Sequence, residues 1–310
     1  MRGSVFRAQR KGPRLSPYLQ HTIASPVFFD GVGIHSGEQV RVCVRPAAPG
    51  AGIGFFRTDV TDRDPLIAAR GDAVCQTRLG TVIGNAAGVT VSTVEHLMAV
   101  FSALNIDNAV VEIDGPEAPI MDGSSRPFVA ILDHGGRRRQ EALRRYIEIL
   151  EPIRVADGDK RVSLTPADQF EVAFEIAFDN PVIGRQRVEL VVDEATFRRE
   201  LADCRTFGFL HEVDALRAAG LARGGDLENV VVVEGDTVLN PEGLRRPDEF
   251  VRHKALDAIG DLYLLGSPII GRYEGRYAGH SLNNALVRAV MATPAAWRYG
   301  SPRQNLAAAG

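Results

Sequence analysis

The sequence predicts a layered α+β fold of two related halves, on three observations. Two strand patterns echo each other. GEQVRVCVRPA (37–47) and GDKRVSLTPA (158–167) each open on Gly and an acid, alternate apolar with polar residues, and close on Pro-Ala. Each is followed at a distance by a helix-then-strand pattern, TVEHLMAVFSALNIDNAVVEIDG (93–115) and EFVRHKALDAIGDLYLLGSPIIGRYEG (249–275). The remaining strands run as hairpins and meanders rather than regular βαβ units, which favours α+β over a Rossmann sheet.

Alternation with a period of two marks a half-buried strand, and the flanking glycine and proline mark its ends. Between the halves, the charged segment DHGGRRRQEALRR (133–145) reads as the linker, dividing the chain into residues 18–138 and 139–300. The opening MRGSVFRAQRKGPRLSP (1–17) is basic with no apolar stretch behind it, and reads as a loose tail rather than a secretory signal.

Composition narrows the function. At 310 residues the chain can bury its own core without staples, and 45% hydrophobic with 24% charged residues is ordinary for a soluble protein. A net charge of −3 gives no basic field for nucleic acid. Cys43, Cys75 and Cys204 are scattered and form no CxxC pair, so neither a disulfide framework nor a thiolate zinc site is indicated, and a reducing cytoplasm fits. No apolar run reaches the ~18 residues that span a bilayer, so any membrane contact is peripheral. There is no GxGxxG after a strand and no P-loop, so a nucleotide-cofactor fold is unsupported.

Four clusters could carry chemistry. Glu95-His96 opens the first helix. Its structural alternative is a capping box, Ser92-Thr93-Val94-Glu95, with Glu95 bonding back to the Ser92 amide. His253, Asp257 and Asp261 recur every four residues and share one helix face. A His and an Asp one turn apart can grip a metal ion from one side, or form a surface ion pair. His280, in AGHSLNN, follows a glycine that suggests a turn exposing its imidazole. CRTFGF (204–209) reads as a plain strand. The combination is more informative than any part. If the two equivalent helices meet, two His and one Asp are available for metal, with a carboxylate and an imidazole left over, which are the parts of a metal-assisted hydrolase.

These segments together resemble the UDP-3-O-acyl-N-acetylglucosamine deacetylase family. The resemblance runs from GVGIHSGE (31–38) through TRLGT (77–81), STVEHL (92–97), NIDNAVVEIDGPEAPIMDGSS (105–125), CRTFGF and LNPEGLRRPDEFVRHKALDAIGDL (239–262) to GHSLNNALVRAV (279–290). It implies two α+β domains with their helices sandwiched between two sheets and a small insert in each. It implies Zn2+ held by His96, His253 and Asp257, Glu95 as general base, and His280 as a second acid/base residue oriented by Asp261. Thr206 would steady the carbonyl oxygen, Phe207 lie against the sugar and Lys254 contact substrate. The second insert, about 209–236, would form a passage for the acyl chain, with Leu210, Val213, Leu216, Leu221 and Val231 as apolar residues and Leu79 at its border. One departure is Arg276-Tyr277-Ala278, where the family often has a lysine before the histidine of GHSLNN; Arg276 is the replacement expected to meet phosphate.

The activity so implied is zinc-dependent removal of the acetyl group from an acylated UDP-N-acetylglucosamine, a step of lipid A biosynthesis, by a cytoplasmic monomer. Two rivals remain at this stage. One is a nucleotide- or RNA-binding module with a structural His/Asp cluster, which the acidic net charge disfavours. The other is a zinc amidase acting on a different N-acetyl sugar.

Overall fold

The structure, a computed structural model, describes residues 17–301, so the expected N-terminal tail lies outside the described residues apart from Pro17. The first half runs β1 (Leu19–Ile23), β2 (Val27–Val32), β3 (Gln39–Pro46), β4 (Ile53–Arg57) and β5 (Leu66–Ala68). An insert of β6 (Val74–Gln76), β7 (Val82–Gly84) and β8 (Thr90–Val91) precedes α1 (Glu95–Ala103), β9 (Ala109–Ile113) and α2 (Arg126–Gly135). Then come β10 (Arg137–Leu143) and β11 (Tyr146–Ile149). The second half runs β12 (Ile153–Asp157), β13 (Lys160–Thr165), β14 (Phe170–Ala177), β15 (Arg185–Val191) and the short α3 (Glu194–Thr196). Its insert holds β16 (Phe207–Phe209), α4 (Leu210–Ala218), β17 (Val231–Glu234) and β18 (Thr237–Val238). It closes with α5 (Glu249–Tyr263), β19 (Ile269–Arg276), α6 (His280–Ala292) and β20 (Trp297–Gly300).

The echo in the sequence is an echo in topology. The first sheet is ordered β2-β3-β9-β4-β5, with only the β4–β9 pair parallel. The second sheet contains the path β12-β13-β19-β14-β15, and along it only β14–β19 is parallel. The expected alternation is present in β3, where Val40, Val42 and Val44 are buried, and in β13, where Val162 and Leu164 are. The fold is α+β, as the sequence predicts.

Helices α1 and α5 form the middle of the molecule. Every residue of α1 but Ser102, and every residue of α5 but Arg252 and Lys254, is buried. A helix buried round its whole circumference belongs between layers. One glycine sets their crossing. A Cβ at Gly260 would lie 2.0 Å from the Glu95 carbonyl oxygen and 3.1 Å from the Ala99 amide nitrogen. The backbones therefore touch, and the start of α1 faces the middle of α5. A single apolar core joins Val44, Phe55 and Leu97 of the first half to Phe174, Leu256 and Val287 of the second.

The charged segment 133–145 is not an open linker. It is the end of α2 followed by β10, which pairs antiparallel with β1. Its charges are compatible with a strand because they find partners at the surface, as Arg137 does in Glu194 at 2.7 Å, while its amides are satisfied by β1. Among the described residues, no helix is long and apolar enough to cross a membrane.

Candidate metal centre and substrate cleft

The helix crossing brings His96, His253 and Asp257 together. Their potential ligand atoms lie within 4.8 Å of one another, and all three residues are buried. His96 Nε2 is 3.4 Å and His253 Nε2 3.3 Å from the same Asp257 oxygen, Oδ1. That oxygen is buried and accepts no hydrogen bond. A buried carboxylate oxygen without a donor is costly unless a cation completes it. His253 Nδ1 donates to the Cys204 carbonyl (3.1 Å), which leaves Nε2 as the free lone pair. Burial pushes the His253 pKa down to about 3, so the ring is a neutral ligand. Burial resists ionisation of Asp257, but the adjoining His253 and the Lys254 ammonium (3.2 Å) hold it well below the usual carboxylate range. These donors fit a divalent ion such as zinc. The i, i+4 pair is therefore not a surface ion pair.

Beside this cluster stand Glu95 and His280. His280 Nε2 is 3.8 Å from Glu95 Oε1 and 3.9 Å from Asp257 Oδ2, and its Nδ1 donates to Asp261 Oδ2 at 2.9 Å. Burial raises the Glu95 pKa, against the pull of His280 and His96. Burial also disfavours imidazolium, but the carboxylates of Asp261 and Glu95 outweigh it and push His280 up to about 9. Two sequence expectations fail here. The capping box does not form: the Ser92 amide donates to the Pro116 carbonyl (2.9 Å), and Glu95 Oε2 instead accepts the Thr81 amide (3.0 Å). His280 is not an exposed turn residue but the first residue of α6, and it is buried. Gly279 is extended and serves as the residue before the helix rather than as a turn.

Half of the CRTFGF segment is strand, Phe207–Phe209, and the first half is not. It is clamped by Arg205, which is buried and donates through its backbone amide and Nε to Glu249 Oε1, both at 2.9 Å. Phe207 packs edge-on against Phe250 at 4.9 Å, and the Lys254 ammonium sits 5.8 Å from its ring centre. Thr206 and Phe207 line two cavities that share Leu79, Glu95 and His96. One is a polar basin of about 320 Å³ bearing Lys160, Lys254 and His280. The other is an apolar passage of about 150 Å³ walled by Ile34, Ile120, Val213, Leu216, Val230 and Val232.

Several residues expected to meet substrate do not line these cavities. Leu210 and Leu221 do not line the passage. From α4 the passage is lined by Glu212, Val213 and Leu216, while Leu210 is outside that lining and 39% exposed. Val231 points into the core while Val230, just before the strand, and Val232 within it face the passage, as alternation requires. Arg276 does not reach the basin; it stacks on Tyr277 at 4.7 Å and lies 3.6 Å from Glu175. Lys160, at the start of β13, lines the basin instead. Three residues at the site carry no signal in the sequence: Lys160, Thr81, whose amide meets Glu95, and Asn283, whose side-chain amide donates to Asp261 Oδ2 at 2.8 Å. Each lies inside a distinctive segment, GDKRVS, TRLGT or GHSLNN, but no local pattern says what a Lys, Thr or Asn will face across the fold.

Three candidate ligands with a carboxylate and an imidazole alongside form the arrangement expected of a metal-assisted hydrolase, and that is the class to which the fold and cleft point. Comparison with known proteins narrows it. The family model for UDP-3-O-acyl N-acetylglycosamine deacetylase matches residues 20–292. A relative named UDP-3-O-acyl-N-acetylglucosamine deacetylase from Phenylobacterium zucineum (strain HLK1) is 66% identical over 291 residues, 94% of this chain and 99% of its own. Proteins of the same name from Syntrophotalea carbinolica (49% over 279 residues, 90% of each chain) and Neisseria meningitidis serogroup A (47% over 282 residues, 90% of this chain and 92% of its own) are also similar. The chain belongs to the UDP-3-O-acyl N-acetylglycosamine deacetylase family.

Proposed function

We propose that the chain hydrolyses the N-acetyl group of UDP-3-O-(3-hydroxyacyl)-N-acetylglucosamine with zinc, releasing acetate, as a cytoplasmic step of lipid A biosynthesis. One observation carries the reading: the polar basin, which is lined by all three candidate ligands, and the apolar passage adjoin at Glu95 and His96. A substrate with a charged diphosphate on one side and an acyl chain on the other suits such a junction. Lys160 and Lys254 are the lysines lining the basin and would face the diphosphate.

Zinc held by His96, His253 and Asp257 would supply Lewis acidity, lowering the pKa of a water toward ~7 and polarising the acetyl carbonyl. Glu95 would take the proton of the attacking water; its raised pKa suits it to keep that proton. The Thr206 hydroxyl would donate to the carbonyl oxygen as charge gathers there. His280, held cationic by Asp261, would protonate or electrostatically support the departing amine.

Purified protein should release acetate from the acylated substrate and stop when a chelator removes the metal. His253→Ala should lose most of its bound zinc by elemental analysis; full occupancy and activity in that variant would sink the assignment. The basic limb of the pH profile provides a second check. His280 is protonated below about 9, so a step needing imidazolium is present at lower pH and fades as pH rises through that value. A dication among the neighbouring ligands repels the imidazolium, so the limb should lie at or below about pH 9. Asp261→Asn removes the largest charge that favours imidazolium while burial still opposes it, so the limb should move to lower pH. An unmoved limb would mean that another group sets it.

A further inference from the structure

We infer that Thr81 is a positioning residue that ties the proton-accepting carboxylate to the imidazole partner across the two halves; the inference rests on the roles just proposed for Glu95 and His280. Thr81 is buried, and both of its donors are spent on this pair of sites. Its amide donates to Glu95 Oε2 at 3.0 Å, and its hydroxyl donates to Asp261 Oδ1 at 2.6 Å. The hydroxyl oxygen also lies 3.4 Å from His280 Nδ1.

The geometry shows why this bond matters. Asp261 Oδ2 is held by Asn283 Nδ2 (2.8 Å) and by His280 Nδ1 (2.9 Å), both from α6. The Thr81 bond to Oδ1 comes instead from the first half, out of the β6–β7 turn. Pinning the second oxygen fixes the plane of the carboxylate, and with it the direction from which Oδ2 meets the imidazole. His280 Nε2 is then aimed at Glu95 Oε1, 3.8 Å away, whose own carboxylate is fixed by the amide of the same Thr81.

The turn is built for this reach. Leu79 adopts a positive φ of 60°, unusual for a residue with a branched side chain. At Gly80 a Cβ would come within 3.1 Å of Glu95 Oε1. A charge-assisted O–H···O⁻ contact of 2.6 Å is at the strong end of such bonds. The hydrogen-bond contacts of Thr81 go to Glu95, Asp261, His280 and Val94, and not to the three candidate ligands.

The test compares Thr81→Val, which keeps the amide and loses the hydroxyl, with Thr81→Ser, which keeps both, in zinc-loaded full-length protein. Thr81→Val should lower kcat roughly 10- to 100-fold with KM changed less than about twofold, and with zinc content unchanged. Thr81→Ser should recover most of the lost turnover. Thr81→Val places a methyl against a buried carboxylate and can lower the melting temperature. Thr81→Ala, which leaves room for a water at Asp261, should show a similar loss of kcat at a temperature where it is fully folded. Near-normal kcat in the folded Val or Ala variant overturns the inference, as do equal losses in Val and Ser or a loss that tracks missing zinc. A wild type that releases no acetate would instead overturn the proposed function.

Discussion

Glu95→Gln should fold, take up zinc and turn over substrate about 10²–10⁴-fold more slowly than the wild type, the usual contribution of a general base. The argument is one of placement and electrostatics. Glu95 sits where α1 and α5 touch backbone to backbone, and a Cβ at Gly260 would be 2.0 Å from its carbonyl oxygen. Its carboxylate is buried, lines both cavities and lies 3.8 Å from His280. Burial disfavours its charged form, so it binds a proton more readily than an exposed glutamate. Glutamine keeps the size and an acceptor for the Thr81 amide, and removes only the capacity to take the proton. Glu95→Ala should lose at least as much rate. Metal content in both variants separates the two roles, because Glu95 is not one of the clustered ligands. Near-normal turnover in folded, zinc-replete Glu95→Gln would leave Glu95 as a structural acceptor for Thr81 and remove the base from the mechanism.

The parts of this site that could be read from sequence are those set by local periodicity. His253 and Asp257 are one turn apart, so any helix through them presents both on one side. The paired strand patterns around Val42 and Val162 alternate with period two and therefore occupy equivalent places in the two sheets. Local rules misled where a tertiary partner outbid a nearby one. Ser92 and Glu95 have capping-box spacing, yet the Ser92 amide is taken by Pro116 and the Glu95 carboxylate by Thr81. Gly279 looks like a turn but is the extended residue in front of α6. Arg276 had the right charge and neighbourhood for phosphate, but Glu175 and Tyr277 engage it, and Lys160 lines the basin in its stead. Thr81, Asn283 and Lys160 share one difficulty. What each faces is set by the fold and not by its neighbours in sequence: Asp261 lies 180 residues from Thr81, and nothing in a single chain's pattern announces such a contact.

Removing the ester-linked acyl chain from the substrate should lower kcat/KM by several orders of magnitude. The passage beside Glu95 and His96 is walled by Val213 and Leu216 of α4, by Val230 and Val232, and by Ile34, Ile120 and Leu79 of the first half. Leu79 is 48% exposed and its backbone is held at positive φ, so it borders the opening without being needed to fill the core. Burying one methylene is worth about 0.8 kcal/mol, so five or so carbons would supply about 4 kcal/mol, or roughly 10³-fold in binding. Because the passage adjoins the basin at Glu95 and His96, that energy also serves to hold the amide in place, so part of the loss should fall on kcat. The comparison is kinetic, with UDP-N-acetylglucosamine against its acylated form. A companion variant, Leu216→Asp, puts a charge into the passage and should weaken the acylated substrate while leaving the short one nearly untouched. Equal efficiency on both substrates, with no differential effect of Leu216→Asp, would mean that the passage does not read the chain. A general N-acetyl sugar amidase would then be the better description of the cleft.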